Sequence, residues 1–135
     1  MNVLIAGAGI GGLTAALALH AAGHQVTVYE AADPIRPLGV GINLLPHAAR
    51  VLTALGLAPR LRSTGVQTAD LSYYSRHGQL IWREPRGLAA GYPVPQYSLY
   101  RGRLQMLLLD AVLERLGEMA VRPGHQLIRF GQDST

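Results

Sequence analysis

Apolar positions change their period twice within the first thirty residues. Val3-Leu4-Ile5-Ala6 is an unbroken aliphatic run, which predicts a buried strand. Gly7 to Gly12 is a glycine-rich turn. Leu13 to Ala22 is rich in Ala and Leu, apolar on nearly every face, and stops at Gly23. That predicts a helix packed against a sheet, with Gly23 as its C-cap. Val26-Thr27-Val28-Tyr29 predicts a second strand, ended by Glu30. Strand, helix and strand in about 30 residues make a βαβ unit, with parallel strands and a right-handed crossover.

The pattern then loosens. Ala31 to Gly41 holds two prolines and two glycines and reads as a loop. Pro46 opens a helix at its first turn, Val51, Leu52 and Leu55 continue it, and Gly56 stops it. Leu71 and Tyr73 alternate with polar residues, as do Leu80 and Trp82, around a turn at Arg76-His77-Gly78-Gln79. Residues 69–84 are therefore expected to form an antiparallel hairpin. Pro85 to Pro95 reads as a loop, Arg103 to Leu116 as a Leu-rich helix ending at Gly117, and Gln126 to Phe130 as a last short strand. Gly131 to Thr135 reads as a turn out of that strand. The fold class is α/β, an incomplete Rossmann-like domain with an inserted hairpin.

Composition narrows the functional classes. The chain has 135 residues, 49% of them hydrophobic, enough for a sizeable core. Charged residues are only 15%, below the usual ~25%. There is no cysteine, which removes disulfide scaffolds, zinc fingers, iron–sulfur sites and thiol catalysis. That absence fits a reducing compartment, and a cytoplasmic location is expected. The net charge of +4 comes entirely from arginine, scattered from Arg36 to Arg129 without a run. Nucleic acid is therefore not an expected partner. The uncharged stretch Val3 to Leu19 lacks a basic flank, carries four glycines, and at 17 residues is shorter than the ~20 of a membrane span. No membrane association is expected.

The chemistry concentrates in Gly7-Ala8-Gly9-Ile10-Gly11-Gly12, a G-x-G-x-x-G. Gly7 permits the tight turn, Gly9 lets backbone approach a pyrophosphate, and Gly12 lets helix lie close to strand. The following helix N-terminus offers free N–H groups and a positive dipole end to phosphates. The context strengthens the motif: it follows a strand, opens a helix, and precedes a strand ending in an acid. Glu30 lies 18 residues after Gly12, near the expected ~20. A carboxylate there accepts hydrogen bonds from ribose hydroxyls and repels a 2′-phosphate, favouring FAD or NAD over NADP. The competing reading is a turn that only packs a buried helix.

Spacing alone leaves FAD and NAD open. Gly7 to Glu30, then Arg36-Pro37-Leu38-Gly39-Val40-Gly41-Ile42, then Leu45-Pro46-His47-Ala48-Ala49-Arg50-Val51-Leu52 to Leu55-Gly56-Leu57, and later Leu99-Tyr100-Arg101-Gly102-Arg103-Leu104-Gln105, resemble the class A flavoprotein monooxygenases. This is the family of para-hydroxybenzoate and salicylate hydroxylases. The resemblance covers almost the whole chain, in order. It implies that Gly7, Gly9 and Gly12 hold the FAD pyrophosphate, and that Glu30 binds the adenosine ribose, with Ala31 beside the adenine side. It also implies that the Gly39–Ile42 loop, with Gly41, passes near the ribityl chain and flavin ring, that Arg101 reaches the flavin-side phosphate and ribityl region, and that Leu127 lies near the adenine. The 69–84 hairpin would belong to the substrate-side sheet. The implied activity is hydroxylation of an aromatic or similar small organic substrate, with NAD(P)H as reductant and O2. Since the cofactor carries such chemistry, no residue here need be acid, base or nucleophile.

The sequence departs from that family at Ala31, where a basic residue is frequent, and at His47, where Asn is frequent. It also lacks the family's downstream Asp-Gly and Gly-Asp flavin motifs. The chain is accordingly expected to be a portion of a longer enzyme, without monooxygenase turnover alone. His20 and His24 are four apart but separated by the helix-ending Gly23, so no metal site is expected. Tyr73, Tyr74, Trp82, Tyr92, Tyr97 and Tyr100 either line an aromatic pocket or pack a hairpin. Other readings are another reaction of the same flavin superfamily, an NAD-binding Rossmann domain, and a non-enzymatic interaction module. A homodimer is left open.

Overall fold

The computed structural model describes residues 1–132. The expected turn at Gly131–Thr135 falls mostly on residues 133–135, outside the described residues. The chain divides into two compact units, Met1–Pro37 with Gln105 onward, and Leu38–Leu104.

In the first unit, β1 (Asn2–Ala6) and β2 (Gln25–Tyr29) pair in parallel, in register from Asn2↔Gln25 to Ala6↔Tyr29. Helix α1 (Ile10–Ala21) joins them and packs on both. It starts three residues earlier than its Ala/Leu pattern predicts, because glycines 11 and 12 are already helical. Its end is a Schellman motif. The Gly23 N–H donates to the His20 carbonyl at 2.9 Å, and the His24 N–H to the Leu19 carbonyl at 3.0 Å. Ala22 is the cap residue, and Gly23 follows it in the left-handed region at φ +84°. Leu13, Ala16 and Leu17 of α1 and Val26 and Val28 of β2 are buried.

The third parallel strand of this sheet is not Gln126–Phe130. It is the two-residue Val121–Arg122, paired with β2 at Val28↔Val121 and Tyr29↔Arg122. The sheet order puts β2 in the centre, with β1 on the opposite edge. Pro123 and Gly124, the latter at φ +71°, end the short strand. The chain then turns back across the end of β2, where the His125 N–H donates to the Glu30 carbonyl at 2.8 Å. Residues 126–130 are irregular, with Leu127, Ile128 and Phe130 exposed at 60%, 88% and 83%. Their apolar character mimics a strand, but they form no ladder with a described strand.

The second unit holds elements that the hydrophobic pattern does not mark. β3 (Gly41–Leu44), β4 (Val66–Thr68) and β7 (Gln96–Tyr100) form an antiparallel sheet with β7 in the middle. Gly41 pairs with Tyr100, and Val66 with Ser98. The expected helix forms as α2 (Pro46–Ala54) and ends in a second Schellman motif at Gly56, φ +76°. A short α3 (Ala58–Thr64) follows, burying only Leu61. The hairpin forms as β5 (Asp70–Tyr74) and β6 (Leu80–Pro85), a separate two-stranded sheet with Tyr73 opposite Trp82. The Pro85–Pro95 loop contains one 3-10 turn at Gly87–Ala90. Helix α4 (Arg101–Leu116) begins two residues before the expected start, directly after β7. Among the described residues no helix is long and apolar enough to cross a membrane.

Candidate nucleotide site

The glycine turn lies between the end of β1 and the start of α1. The Gly7 N–H donates to the Tyr29 carbonyl at 2.7 Å, which ties the turn to the end of β2. Gly7 has φ +101°, a conformation that L side chains rarely adopt. At Gly12 the constraint is space. A Cβ there would stand 2.0 Å from the Gly7 carbonyl oxygen and 3.3 Å from an Ile5 methyl. Gly9 is different again. Its backbone is extended, at φ −75° and ψ 178°, and a Cβ would meet nothing within 4 Å. Gly9 is the N-cap of α1 and has no side chain to cap it. The first N–H groups of α1 have no carbonyl one turn back to accept them. They present a positive dipole end with no capping oxygen in the way.

Glu30 completes this turn. Its Oε2 accepts the Ala8 N–H at 2.7 Å, and its Oε1 accepts the Ala32 N–H at 2.8 Å. These backbone donors, Ala32 first and then Ala8, hold the carboxyl below the ordinary value of 4.5. A carboxylate has about four lone-pair sites, so acceptor capacity remains for a ligand's hydroxyls. Ala8 is fully buried, and its carbonyl accepts a hydrogen bond from Gln105 Nε2 at 2.9 Å. Ala8, Ala32 and Gln105 are thus site residues that sequence reasoning did not single out. Gln105 sits in a segment already marked by resemblance, but nothing local says where its amide points.

The structure brings Gly7, Gly9, Gly12, Glu30 and Ala31 together in the first unit, with Ala31 exposed. Leu127 belongs to the same unit. It lines a cleft of about 660 Å³ with Leu4, Ala6, Tyr29, His125 and Phe130. The rings of Tyr29 and His125 are 5.8 Å apart there. Gly41 and Arg101 belong to the second unit. Gly41 pairs with Tyr100, the residue before Arg101, and the Arg101 N–H donates to the Val40 carbonyl at 3.0 Å. Gly39, at φ +130°, leaves room for the Arg101 side chain. A Cβ on it would come within 3.1 Å of Arg101 Cδ. Among the described residues no group of three or more His, Asp or Glu could hold a metal ion.

A strand-turn-helix with a positive-φ first glycine, a contact-limited last glycine and a strand-end carboxylate defines a dinucleotide-binding βαβ unit. The sequence pattern of the NAD(P)-binding Rossmann-like domain matches residues 5–37. The whole chain is 56% identical over 135 residues to phenazine 1,6-dicarboxylic acid hydroxylase PhzS of Lysobacter antibioticus, covering 99% of this chain and 33% of that protein. It is 35% identical to 3-hydroxybenzoate 6-hydroxylase of Polaromonas naphthalenivorans, covering 98% of this chain and 34% of that one. Among solved structures, Klebsiella pneumoniae HpxO complexed with FAD and uric acid superposes with a TM-score of 0.83 at 27% identity, over 99% of this chain and 33% of that chain. In sequence and fold the chain is thus similar to one portion of FAD-dependent hydroxylases and monooxygenases. It spans about a third of the length of the curated relatives that it matches.

Proposed function

We propose that this chain is the FAD-binding portion of a flavoprotein monooxygenase that hydroxylates an aromatic or similar small organic substrate with NAD(P)H and O2. One observation carries the reading. The glycine turn is closed onto the Glu30 carboxylate through the Ala8 N–H, while Gly9 and the α1 N-terminus stay open. Gly7, Gly9 and Gly12 would shape the backbone that holds the pyrophosphate. Glu30 would take the adenosine ribose hydroxyls with its remaining lone pairs, next to Ala31. Leu127, in its apolar cleft, would lie near the adenine. In the second unit, Gly41 and Arg101 would serve the ribityl and flavin-side phosphate. The bound flavin would supply the redox chemistry, and this chain's residues would bind and orient it. The 69–84 hairpin would face the substrate side. The whole enzyme would be cytoplasmic, with no nucleic-acid or membrane partner.

Titration of the purified chain with FAD, followed by flavin fluorescence with NAD as competitor, tests this reading. Saturable FAD binding that NAD does not displace, and that Glu30→Ala weakens, is the expected result. Preferential NAD binding would instead support the NAD-binding Rossmann reading, which the match over residues 5–37 favours.

A further inference from the structure

Gln105 lies in the first turns of α4, ninety-seven positions from the alanine whose carbonyl it grips. The peptide it holds is the one between Ala8 and Gly9. That peptide is trans, since the cis bond described is Asp33–Pro34. In a trans peptide the carbonyl and the following N–H lie in one plane and point in opposite directions. Anchoring the Ala8 carbonyl therefore aims the Gly9 N–H away from Gln105. The preceding peptide is fixed independently, because the Ala8 N–H donates to Glu30 Oε2 at 2.7 Å. Two consecutive peptide planes are thus held by side chains from distant parts of the chain. Gly9 contributes no side chain to restrain itself, and open space surrounds its α-carbon on the Cβ side. A glycine in that setting would otherwise sample several peptide orientations.

We infer that Gln105 is a positioning residue for the phosphate-facing Gly9 amide. It acts by locking the Ala8–Gly9 peptide plane before a ligand arrives. The inference rests on the nucleotide reading of the glycine turn. Its physical content is preorganisation: a donor already aimed at an anion loses less freedom on binding than one that must first rotate. Gln105 itself need touch no ligand atom. An aliphatic residue of the same length would fill the same space, but it would leave the buried Ala8 carbonyl unpaired and free to turn.

The test uses the full chain, 15N-labelled, as wild type, Gln105→Met and Gln105→Glu. Methionine keeps the length and volume and removes the donor. Glutamate keeps the shape and replaces the donor with an oxygen that repels the Ala8 carbonyl. It keeps the test alive if the methionine variant fails to fold. Three quantities are read: the Gly9 amide cross-peak without ligand, the dissociation constants for FAD and ADP, and the 31P shifts of bound ADP. The expected result is a displaced Gly9 cross-peak, about tenfold weaker binding of both nucleotides, and altered 31P shifts. Wild-type affinities with an unmoved Gly9 cross-peak would overturn the inference. A lowered melting temperature with affinities and 31P shifts unchanged would also overturn it, leaving Gln105 a purely structural contact. Should the wild type bind neither nucleotide, the FAD reading fails by itself. The ligand-free Gly9 cross-peak then decides the peptide lock, a displaced peak supporting it and an unmoved one overturning it.

Discussion

Gly7 and Gly12 of the motif are glycine for different reasons, a positive φ at the first and a lack of space at the second. Gly12 is glycine because the Gly7 carbonyl oxygen would stand 2.0 Å from any Cβ. That oxygen is backbone and cannot swing aside, so Gly12→Ala should cost about 1–3 kcal/mol or more. Gly11→Ala is the control, since a Cβ there meets nothing within 4 Å. Urea denaturation of the two variants should separate them clearly. Glu30 provides a pH handle. Its folded carboxyl titrates below 4.5 because the Ala32 and Ala8 amides favour the charged form. The stabilisation is therefore present above the unfolded value and is lost as pH falls through the folded one. Thermal melts of the wild type and Glu30→Gln should differ at pH 7, and the gap should shrink below pH 4.5. A gap that stays the same as the pH is lowered to complete protonation of the carboxyl would assign the effect to shape rather than charge.

At the scale of elements, the helix ends follow from local chemistry. Both α1 and α2 stop where a glycine enters the left-handed region, at Gly23 with φ +84° and Gly56 with φ +76°. Neither end needs a tertiary partner, which is why both stops were legible in the sequence. Gly23→Ala meets open space yet must adopt a conformation costing an L residue about 1–2 kcal/mol. A drop of that size in unfolding free energy is expected. The hairpin was legible for a similar reason, since alternation and a short turn are local signals. Its cross-strand Tyr73–Trp82 pair is half exposed, and Trp82 is the chain's one tryptophan. Trp82→Ala should cost about 0.5–1 kcal/mol. The wild-type emission should resemble that of hydrated tryptophan, and a strongly blue-shifted spectrum would contradict the exposure seen here.

For the whole molecule, the first unit's parallel sheet has three strands, one of them two residues long. Parallel sheets are normally covered on both faces. Here Leu4 is 70% exposed on β1, in the same cleft as Leu127 and Phe130. The chain also spans only a third of its relatives' length. These facts lead to one expectation about activity. Mixed with FAD, NAD(P)H and O2, the purified chain should show no NAD(P)H consumption above free flavin. Stimulated consumption would mean that 135 residues suffice for reduction.

Short-range physics accounts for what the sequence determined by itself. The βαβ unit, the glycine turn, the strand-end Glu30, the helix stops and the hairpin all depend on residues close together in the chain. Their periods, caps and turn residues are therefore readable without a partner. Tertiary structure decided the rest, because the deciding contacts are distant. β3, β4 and β7 are three to five residues long, too short for a period to stand out, and they exist because residues far apart meet on β7. The third parallel strand went to Val121–Arg122 rather than to the more apolar Gln126–Phe130. Pairing needs an available edge, and the Pro123-Gly124 turn carries the later segment away from it. The grip of Gln105 on Ala8 joins residues ninety-seven apart, and no spacing rule connects them. A glycine motif announces a tight strand-to-helix turn, but the hydrogen bonds that Glu30 and Gln105 make to its backbone arise only in the folded chain.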